Sequence, residues 1–295
     1  MKEYKIYHRD TKLEEAEVSG NLSALSFLYG TFTGKIVIRL MNRSVVSALY
    51  GWLMKSFLSK PMIHKFIEQY KIDTEAISQP LDSYKSLNDF FTRKLKPGAR
   101  KVDTNPKHLV SPADARLLVF DLSHKYQVPV KGYWYTLTEL LQDDNMDREY
   151  ADGWCFVYRL APMDYHRFCY IDSGLQDPVK TIPGVLNSVN PIALSLVDSL
   201  LAQNYRELTV MHTDHFRQVV HIEVGAMMVG RIVLHNRNSS TFNRGDEKGW
   251  FEFGGSTIIQ LLKKDVVQPD DDLMEHSVRG IETLVRLGER VGCAI

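Results

Sequence analysis

Two adjacent glycines precede a serine near the C-terminal end of this 295-residue sequence, in the run Phe253-Gly254-Gly255-Ser256-Thr257. The run leads into apolar β-type residues, and paired glycines weaken a strand unless the backbone needs an unusual conformation or a close approach. One interpretation is structural, with the glycines forming a β-bulge or a tight corner. The other is chemical: Gly255 presents an unshielded carbonyl to the Ser256 hydroxyl, and backbone strain assists an intrachain N-to-O acyl shift.

The chemical interpretation converts the serine into a cofactor. The acyl shift leaves an ester at Ser256, elimination of the ester yields dehydroalanine, and hydrolysis then leaves a pyruvoyl group at that position. Its ketone is an electron sink, which can condense with a substrate amine and accept the electrons released when carbon dioxide departs. The predicted reaction is therefore the decarboxylation of a substrate that carries an amine.

Two further segments supply groups for acid–base chemistry. Asp114 ends the run SPAD (111–114), just before a β-type run, and His166 lies in LAPMDYHRF (160–168), directly after another. Taken singly, an aspartate after proline is typical of a turn, and a loop histidine is typical of a surface. Together with Ser256, they provide a nucleophile, a general base and a carboxylate that orients the base.

Composition excludes several other classes of protein. Lysine plus arginine equals aspartate plus glutamate at 36 each, so no global field attracts nucleic acid. The three cysteines, at 155, 169 and 293, lack CxxC spacing, which favours a reducing, cytosolic compartment. His212 and His215 are spaced like metal ligands, but no third ligand accompanies them, and we predict no metal site.

Residues after Val110 favour a β-rich domain. Short runs of β-type residues recur there, at 117–120, 155–160, 209–211, 219–225, 227–234 and 256–262. Helical patterns interrupt these runs at 136–141 and 193–203, and the tail is expected to form one amphipathic helix from about Asp272. A short helix is expected over residues 88–95, capped by Ser86 and ended by Pro97-Gly98.

The segment before this domain has a helical texture. The first twenty residues are expected to form a short strand pair or a loose arm, and helices are expected over 22–29, 34 to about 58, and 61–70. Bulky apolar residues lie there beside a basic, acid-poor face, as in a helix at an anionic membrane surface. The same stripe is also typical of a domain core or a dimer face. We see no secretory signal and no apolar stretch of the length of a spanning helix.

Beyond these single features, the chain resembles the phosphatidylserine decarboxylase family. The resemblance covers roughly residues 40–263, follows the order of the family, and extends weakly into the tail at 280–292. Its motifs are SLNDFFTRKLKPGAR (86–100), SPAD (111–114), LAPMDYHRF (160–168), IPGVLNSVNP (182–191), VGAMMVGRI (224–232) and RGDEKGWFEFGGST (244–257).

The resemblance implies a self-processing, pyruvoyl-dependent lyase. Cleavage between Gly255 and Ser256 would give a β chain (1–255) and an α chain (256–295), and the pyruvoyl group made from Ser256 would form a Schiff base with phosphatidylserine to yield phosphatidylethanolamine. The implied fold is α+β, with an N-terminal arm and helical membrane-associating region (1–82) and a β-rich, sandwich- or barrel-like catalytic domain (83–295). A homodimer bound peripherally to the cytoplasmic face of the cell membrane is expected by the same analogy.

The resemblance maps the family's catalytic residues onto Asp114, His166 and Ser256, with one departure. Many members carry a second histidine three residues after the first, where this sequence has Cys169. We assign the base role to His166, and Cys169 either packs beside it as a small buried residue or gives up a proton as a weak acid. Two alternatives stay open: a pyruvoyl decarboxylase of a soluble amino acid, and a non-cleaving, non-catalytic relative.

Overall fold

A computed structural model describes residues 5–16, 31, 33, 44–123, 127–130, 133–187, 200–226, 231–254 and 256–295. The described chain is mostly β-sheet with a few helices, which confirms the α+β class. The strands are β1 (Lys5–His8), β2 (Leu13–Ala16), β3 (His108–Val110), β4 (Ala115–Asp121), β5 (Gln127–Val130), β6 (Tyr133–Thr136), β7 (Trp154–Leu160), β8 (Arg167–Cys169), β9 (Gly174–Gln176), β10 (Lys180–Ile182), β11 (Arg206–Thr213), β12 (Arg217–Gly225), β13 (Ile232–Leu234), β14 (Ser240–Phe242), β15 (Glu247–Phe251), β16 (Ser256–Leu262), β17 (Val267–Pro269), β18 (Glu282–Val285) and β19 (Arg290–Ala294). The α-helices are α1 (Ser44–Lys55), α2 (Met62–Tyr70), α3 (Leu87–Phe91), α4 (Leu137–Leu141), α5 (Asp144–Tyr150), α6 (Leu200–Gln203) and α7 (Asp271–Val278).

One large sheet organises the described chain. Its strands follow the order β14-β9-β11-β12-β16-β7-β4-β18-β1-β2, and β10 pairs with β11. Neighbours are antiparallel except β1 and β18, which run parallel. β16 lies near the middle, between β12 and β7, and all seven of its residues are buried. Burial on both faces explains why this strand is a nearly continuous apolar run rather than an alternating one.

The two faces of the large sheet pack against different layers. On one face, Ile259 and Leu261 of β16 share a core with α4 and α5. On the other face, Ile258 packs with Phe168 and Phe251, which belong to the small sheet β13-β15-β8. The sandwich- or barrel-like form expected of the catalytic domain remains a prediction. Two further sheets, β17-β19-β3 and β5-β6, complete the β structure of the described residues.

The helices before residue 92 form a third apolar cluster. α2 buries Ile63 and Phe66 at helical spacing, and α3 adds Phe90 and Phe91. Phe253, three residues before Ser256, packs against this cluster. The helical segment therefore contacts the chain just before the glycine pair. The division of the chain at residue 82 remains a prediction.

Several predicted elements are confirmed. The first residues form the hairpin β1-β2, Ser86 caps α3 by accepting a hydrogen bond from the Asp89 backbone, and a helix follows Pro61. β4, β7, β11, β12 and β16 contain the predicted β-type runs at 117–120, 155–160, 209–211, 219–225 and 256–262. The predicted helix over 22–29, residues 34–43 of the next one and residues 193–199 of a later one lie outside the described residues.

Two predicted helices end early. The helix expected over 88–95 ends at Phe91, because residues 94–96 form backbone hydrogen bonds with residues 76–78 instead. The tail forms only α7 as a helix, and then the strands β18 and β19, so the prediction of one helix was wrong. Gly280, with φ +70°, ends the helical turn, and the β-branched Thr283 and Val285 then enter the large sheet.

A chain of fully buried polar groups joins the small sheet to the large one. Lys248 of β15 forms an ion pair with Glu223 of β12 and donates a hydrogen bond to Thr209, 3.1 Å away. His221 Nε2 lies 3.3 Å from Glu223, and its Nδ1 lies 3.0 Å from the Gln260 side-chain nitrogen on β16. Burial alone would raise the pKa of Glu223, but Lys248 and His221 lower it overall. The Glu223 carboxylate therefore stays charged inside the protein.

We expect Lys248→Met to destabilise the protein strongly, because it leaves the buried Glu223 carboxylate without its cation. The expected loss is about 3–5 kcal/mol of unfolding free energy, and the double variant Lys248→Met/Glu223→Gln recovers part of it. Urea unfolding measures the loss in the single variant and the recovery in the double variant, both made in a Ser256→Ala background, which is expected to keep the chain uncut. The matched control is Lys263→Met, which breaks the exposed Lys263–Glu149 pair and is expected to cost less than about 1 kcal/mol. Equal losses for Lys248→Met and Lys263→Met would contradict the assignment.

Candidate active site

Ser256 is the first residue of the central strand β16. It lies opposite Leu160 of β7 and Gly225 of β12, and its side chain is fully buried. The Ser256 Oγ atom has no hydrogen-bond partner. A buried hydroxyl without a partner is costly, so such a group marks a position with a chemical role or an unfilled contact.

The backbone before Ser256 is anchored at a second point. The Phe253 backbone N–H donates a 2.8 Å hydrogen bond to the Asn88 side chain of α3, and Lys55 of α1 pairs with Glu252 at 2.7 Å. Gly254 follows with φ +144°, a conformation that favours glycine. The requirement for glycine is thus explained at Gly254, whereas Gly255 lies outside the described residues.

His166 is buried and held by the backbone. Its Nδ1 lies 2.9 Å from the Asp164 carbonyl oxygen, and its ring packs against Phe91 at a tilt of 35°, with centroids 3.9 Å apart. Burial, assisted by the positive charges of Arg93 and Arg116, lowers the pKa of His166 to about 3. The imidazole is therefore neutral at physiological pH. With the proton on Nδ1, donated to that carbonyl, Nε2 has a lone pair and no hydrogen-bond partner.

Asp114 lies in a different arrangement from the one the sequence suggested. Its carboxylate accepts hydrogen bonds from Arg100 Nε at 2.8 and 3.0 Å and from the Leu287 backbone N–H at 2.9 Å. The expected hydrogen bond from His166 is made to the Asp164 carbonyl instead. Asp114 therefore holds Arg100 and the turn after β18, while a backbone oxygen orients the imidazole.

Cys169 is the last residue of β8, and it lies next to the loop that contains Pro112 and Asp114. Its backbone N–H donates to the Pro112 carbonyl at 2.9 Å. Burial, opposed by Arg244 and assisted by Asp114, raises the pKa of the Cys169 thiol to about 12. The thiol is protonated and apolar in this environment, as expected of a packing residue. An accessory role in catalysis remains a prediction.

Sequence reasoning missed two buried charged groups beside His166. The Asp164 carboxylate forms an ion pair with Arg116 and accepts a hydrogen bond from the Ala161 backbone at 2.6 Å. The Arg93 guanidinium reaches the same loop, donating to the carbonyls of Met163 and Asp164. Both residues lie within motifs that the sequence analysis quoted, at 86–100 and 160–168, but their pairing across 71 residues is a tertiary contact that spacing cannot reveal.

The arrangement has the chemical elements of intrachain acyl transfer. It combines a buried hydroxyl, a neutral imidazole with a free nitrogen, and a glycine-rich segment anchored at Phe253 and in β16. Neither Ser256 Oγ nor His166 Nε2 has a partner, so the hydrogen bond for proton transfer is not yet formed in this state. Active-site hydrogen bonds often tighten only as the reaction proceeds.

Comparisons with known proteins agree with this chemistry. A sequence model of the phosphatidylserine decarboxylase family matches residues 87–293. A phosphatidylserine decarboxylase proenzyme from Clostridium perfringens is 40% identical over 290 residues, which cover 98% of this chain and 99% of that protein. One from Ruminiclostridium cellulolyticum is also 40% identical, over 98% of this chain and 97% of that protein. Phosphatidylserine decarboxylase proenzyme 2 from Clostridium acetobutylicum is 39% identical over 97% of both chains.

The lowered pKa of His166 predicts a specific pH dependence of stability. Between the ordinary pKa of about 6.5 and the folded pKa of about 3, the unfolded chain binds a proton that the folded chain does not, so stability falls as the pH is lowered through this window. We expect His166→Gln to remove up to about 1.4 kcal/mol per pH unit from that slope. Urea unfolding of Ser256→Ala and Ser256→Ala/His166→Gln at pH 4 to 7 measures it. The control is His64→Gln in the same Ser256→Ala background, because His64 is exposed. If the unfolding free energy of all three proteins changed equally with pH, His166 would not be a buried neutral imidazole.

Proposed function

The chain belongs to the phosphatidylserine decarboxylase family, and we propose that His166 and Ser256 carry its self-processing and its reaction, while Asp114 supports the site by holding Arg100 and the turn after β18. Its activity is the conversion of phosphatidylserine to phosphatidylethanolamine and carbon dioxide. The observation that supports the site is the Ser256 hydroxyl, which is buried without a partner two residues after a glycine in a positive-φ conformation.

Self-processing begins with the Ser256 hydroxyl. Its oxygen attacks the Gly255 carbonyl carbon, His166 Nε2 accepts the hydroxyl proton, and the bond from that carbon to the Ser256 nitrogen breaks as the nitrogen takes up a proton. A base then removes the proton on the Ser256 α carbon, the bond from the β carbon to the ester oxygen breaks, and the Gly255 carboxylate leaves a dehydroalanine behind. Water then replaces the nitrogen as ammonia, which gives a pyruvoyl group at the head of an α chain (256–295) and frees a β chain (1–255).

The residues around position 256 fit this group. β12 and β7 hold the position from both sides and keep it buried, so the reacting atoms are shielded from bulk water. When present, the pyruvoyl carbonyl supplies an electron sink for the loss of carbon dioxide. The lowered pKa of His166 keeps the imidazole neutral, so its Nε2 is available to accept a proton in self-processing. Its role as proton donor, which we also propose, requires that the imidazole first receives a proton.

The described helices are short, and none of them is long and apolar enough to cross a membrane. An apolar patch lies instead on the outer side of α1, the following 3₁₀ turn and the start of α2. Leu49, Trp52 and Phe57 are 66%, 63% and 77% exposed, and Leu58 and Met62 continue the patch. Patches of this kind mark interaction surfaces.

We propose that an anionic lipid bilayer covers this patch. The exposed Lys60 and Lys65 and the half-exposed Lys55 lie among the apolar residues, and this charge complements anionic head groups. Lys55 also pairs with Glu252, four residues before Ser256, so the same helix reaches both the patch and the candidate active site. The cytoplasmic face and the homodimer remain predictions.

Ser256→Ala is expected to abolish self-processing, because it removes the nucleophile. His166→Ala is expected to slow self-processing by about 10²- to 10⁴-fold through loss of the general base. Intact mass measurement of the purified protein checks both: the wild type gives two chains that meet at 255/256, and Ser256→Ala gives one chain of 33.9 kDa. His64→Ala, at an exposed histidine, is the matched control and is expected to process. Normal processing of His166→Ala would transfer the base role to another group.

The membrane proposal predicts that Trp52→Ser/Phe57→Ser loses binding to anionic vesicles. Flotation with vesicles of phosphatidylserine and phosphatidylcholine measures the bound fraction, and high salt is expected to weaken wild-type binding. Val278→Ser is the control, because Val278 is 84% exposed but lies on α7. Absence of wild-type binding would favour the alternative of a soluble amino acid as substrate.

A further inference from the structure

A cavity of about 310 Å³ lies beside the candidate active site, between the end of α2 and the end of β18. Its wall includes Asp114 and Asp164 and several basic side chains. Its charged lining residues are Lys71, Asp73, Arg93, Arg100, Asp114, Asp164 and Arg286. The charges of this lining decide what the cavity can bind.

Arg93 is the deepest cation in the wall. Its side chain is only 4% exposed, and its Nη2 donates to the carbonyl oxygens of Met163 at 3.0 Å and Asp164 at 3.2 Å. Its Nε and Nη1 atoms are buried without hydrogen-bond partners, and no carboxylate of the described residues forms a salt bridge with it. Its two carbonyl hydrogen bonds, the Phe90 ring 5.2 Å away and the charges of Asp114 and Asp164 offset only part of the desolvation cost of this buried guanidinium.

The other charges of the wall do not neutralise Arg93. The Asp114 carboxylate is bound to Arg100, and the Asp164 carboxylate is bound to Arg116. Lys71, Asp73 and Arg286 are solvent-accessible. The buried charge left without a direct counter-ion in the described wall is therefore positive, and an anion is the ligand that satisfies it.

We propose that Arg93 binds the phosphodiester of the substrate head group. The inference rests on the proposed function, because it takes phosphatidylserine as the ligand. That lipid carries two anions, the phosphodiester and the serine carboxylate. The carboxylate loses its charge as carbon dioxide forms, so a buried cation bound to it would stabilise the ground state and slow the reaction. The phosphodiester keeps its charge throughout, and binding it anchors the substrate without that penalty.

The position of Arg93 relative to His166 supports this assignment. The Asp164 carbonyl oxygen lies 3.2 Å from Arg93 Nη2 and 2.9 Å from His166 Nδ1, so a single oxygen joins the cation to the candidate base. In the head group, a single carbon atom separates the phosphate oxygen from the carbon that bears the amine and the carboxylate. The head group is therefore short, and the proposed phosphate ligand is linked to the candidate base through one shared oxygen.

The test is a binding measurement on the uncut Ser256→Ala precursor, which does not depend on activity. Isothermal titration with glycerophosphoethanolamine supplies the phosphodiester without the carboxylate, and titration with serine supplies the carboxylate without the phosphate. We expect Arg93→Met to weaken the binding of glycerophosphoethanolamine about 10- to 100-fold and to leave the binding of serine unchanged. Lys94→Met is the control, because Lys94 is exposed and does not line the cavity.

Each other outcome would overturn the proposal. Unchanged glycerophosphoethanolamine binding in Arg93→Met excludes Arg93 as a ligand, and selective loss of serine binding assigns it to the carboxylate. Inorganic phosphate that binds as tightly as glycerophosphoethanolamine indicates a site for the free anion rather than for the head group.

If Arg93→Met does not fold, Arg93→Lys, which keeps the charge but loses the planar donors, is expected to weaken binding by a smaller factor. Failure of the proposed function is seen separately, as a wild-type chain that is neither cut nor active.

Discussion

The placement of the reacting residue at the head of a strand paired on both sides constrains the rest of the molecule. Ser256 acquires its buried environment only when β7 and β12 lie beside it, and Phe253 acquires its anchor only when Asn88 of α3 has docked. Between these two fixed points lies the glycine pair, where a side chain on Gly254 would resist the observed φ. The chemistry is therefore a product of tertiary structure, and self-processing has to follow folding.

The same helices serve two environments. On the inner side, Phe91 packs against His166 and the apolar cluster packs against Phe253, which excludes water from the groups that react. In this dry setting charges act strongly, and the pKa of His166 falls because Arg93 and Arg116 add to the effect of burial. On the outer side, α1 presents Trp52 to the exterior. One layer of helices thus lies between the proposed membrane surface and the catalytic centre.

Local patterns predicted much of this arrangement, and tertiary contacts account for what they missed. The central strands were visible because burial on both faces gives continuous apolar runs such as β16, and the Ser86 cap was visible because capping is local. The early end of α3 could not be predicted from the sequence, because it depends on the pairing of residues 94–96 with residues 76–78. Likewise, Ser256 and His166 stood out by residue type, whereas the partners of Asp114 and Arg93 lie across the fold. A carbonyl oxygen that orients His166 has no signature in the sequence at all.

The path of residues 256–295 through the fold has a consequence for the stability of the protein after the proposed cut. This segment supplies β16 between β12 and β7, β18 between β4 and β1, and β19 between β17 and β3. A break before Ser256 leaves those ladders intact, so the two pieces stay interlocked without a covalent link. Refolding after denaturation would then become a bimolecular search, and it would begin from chains that no longer contain the precursor's connectivity. The cut enzyme is thus expected to persist through slow unfolding rather than through reversible equilibrium, and damage that unfolds it would be permanent.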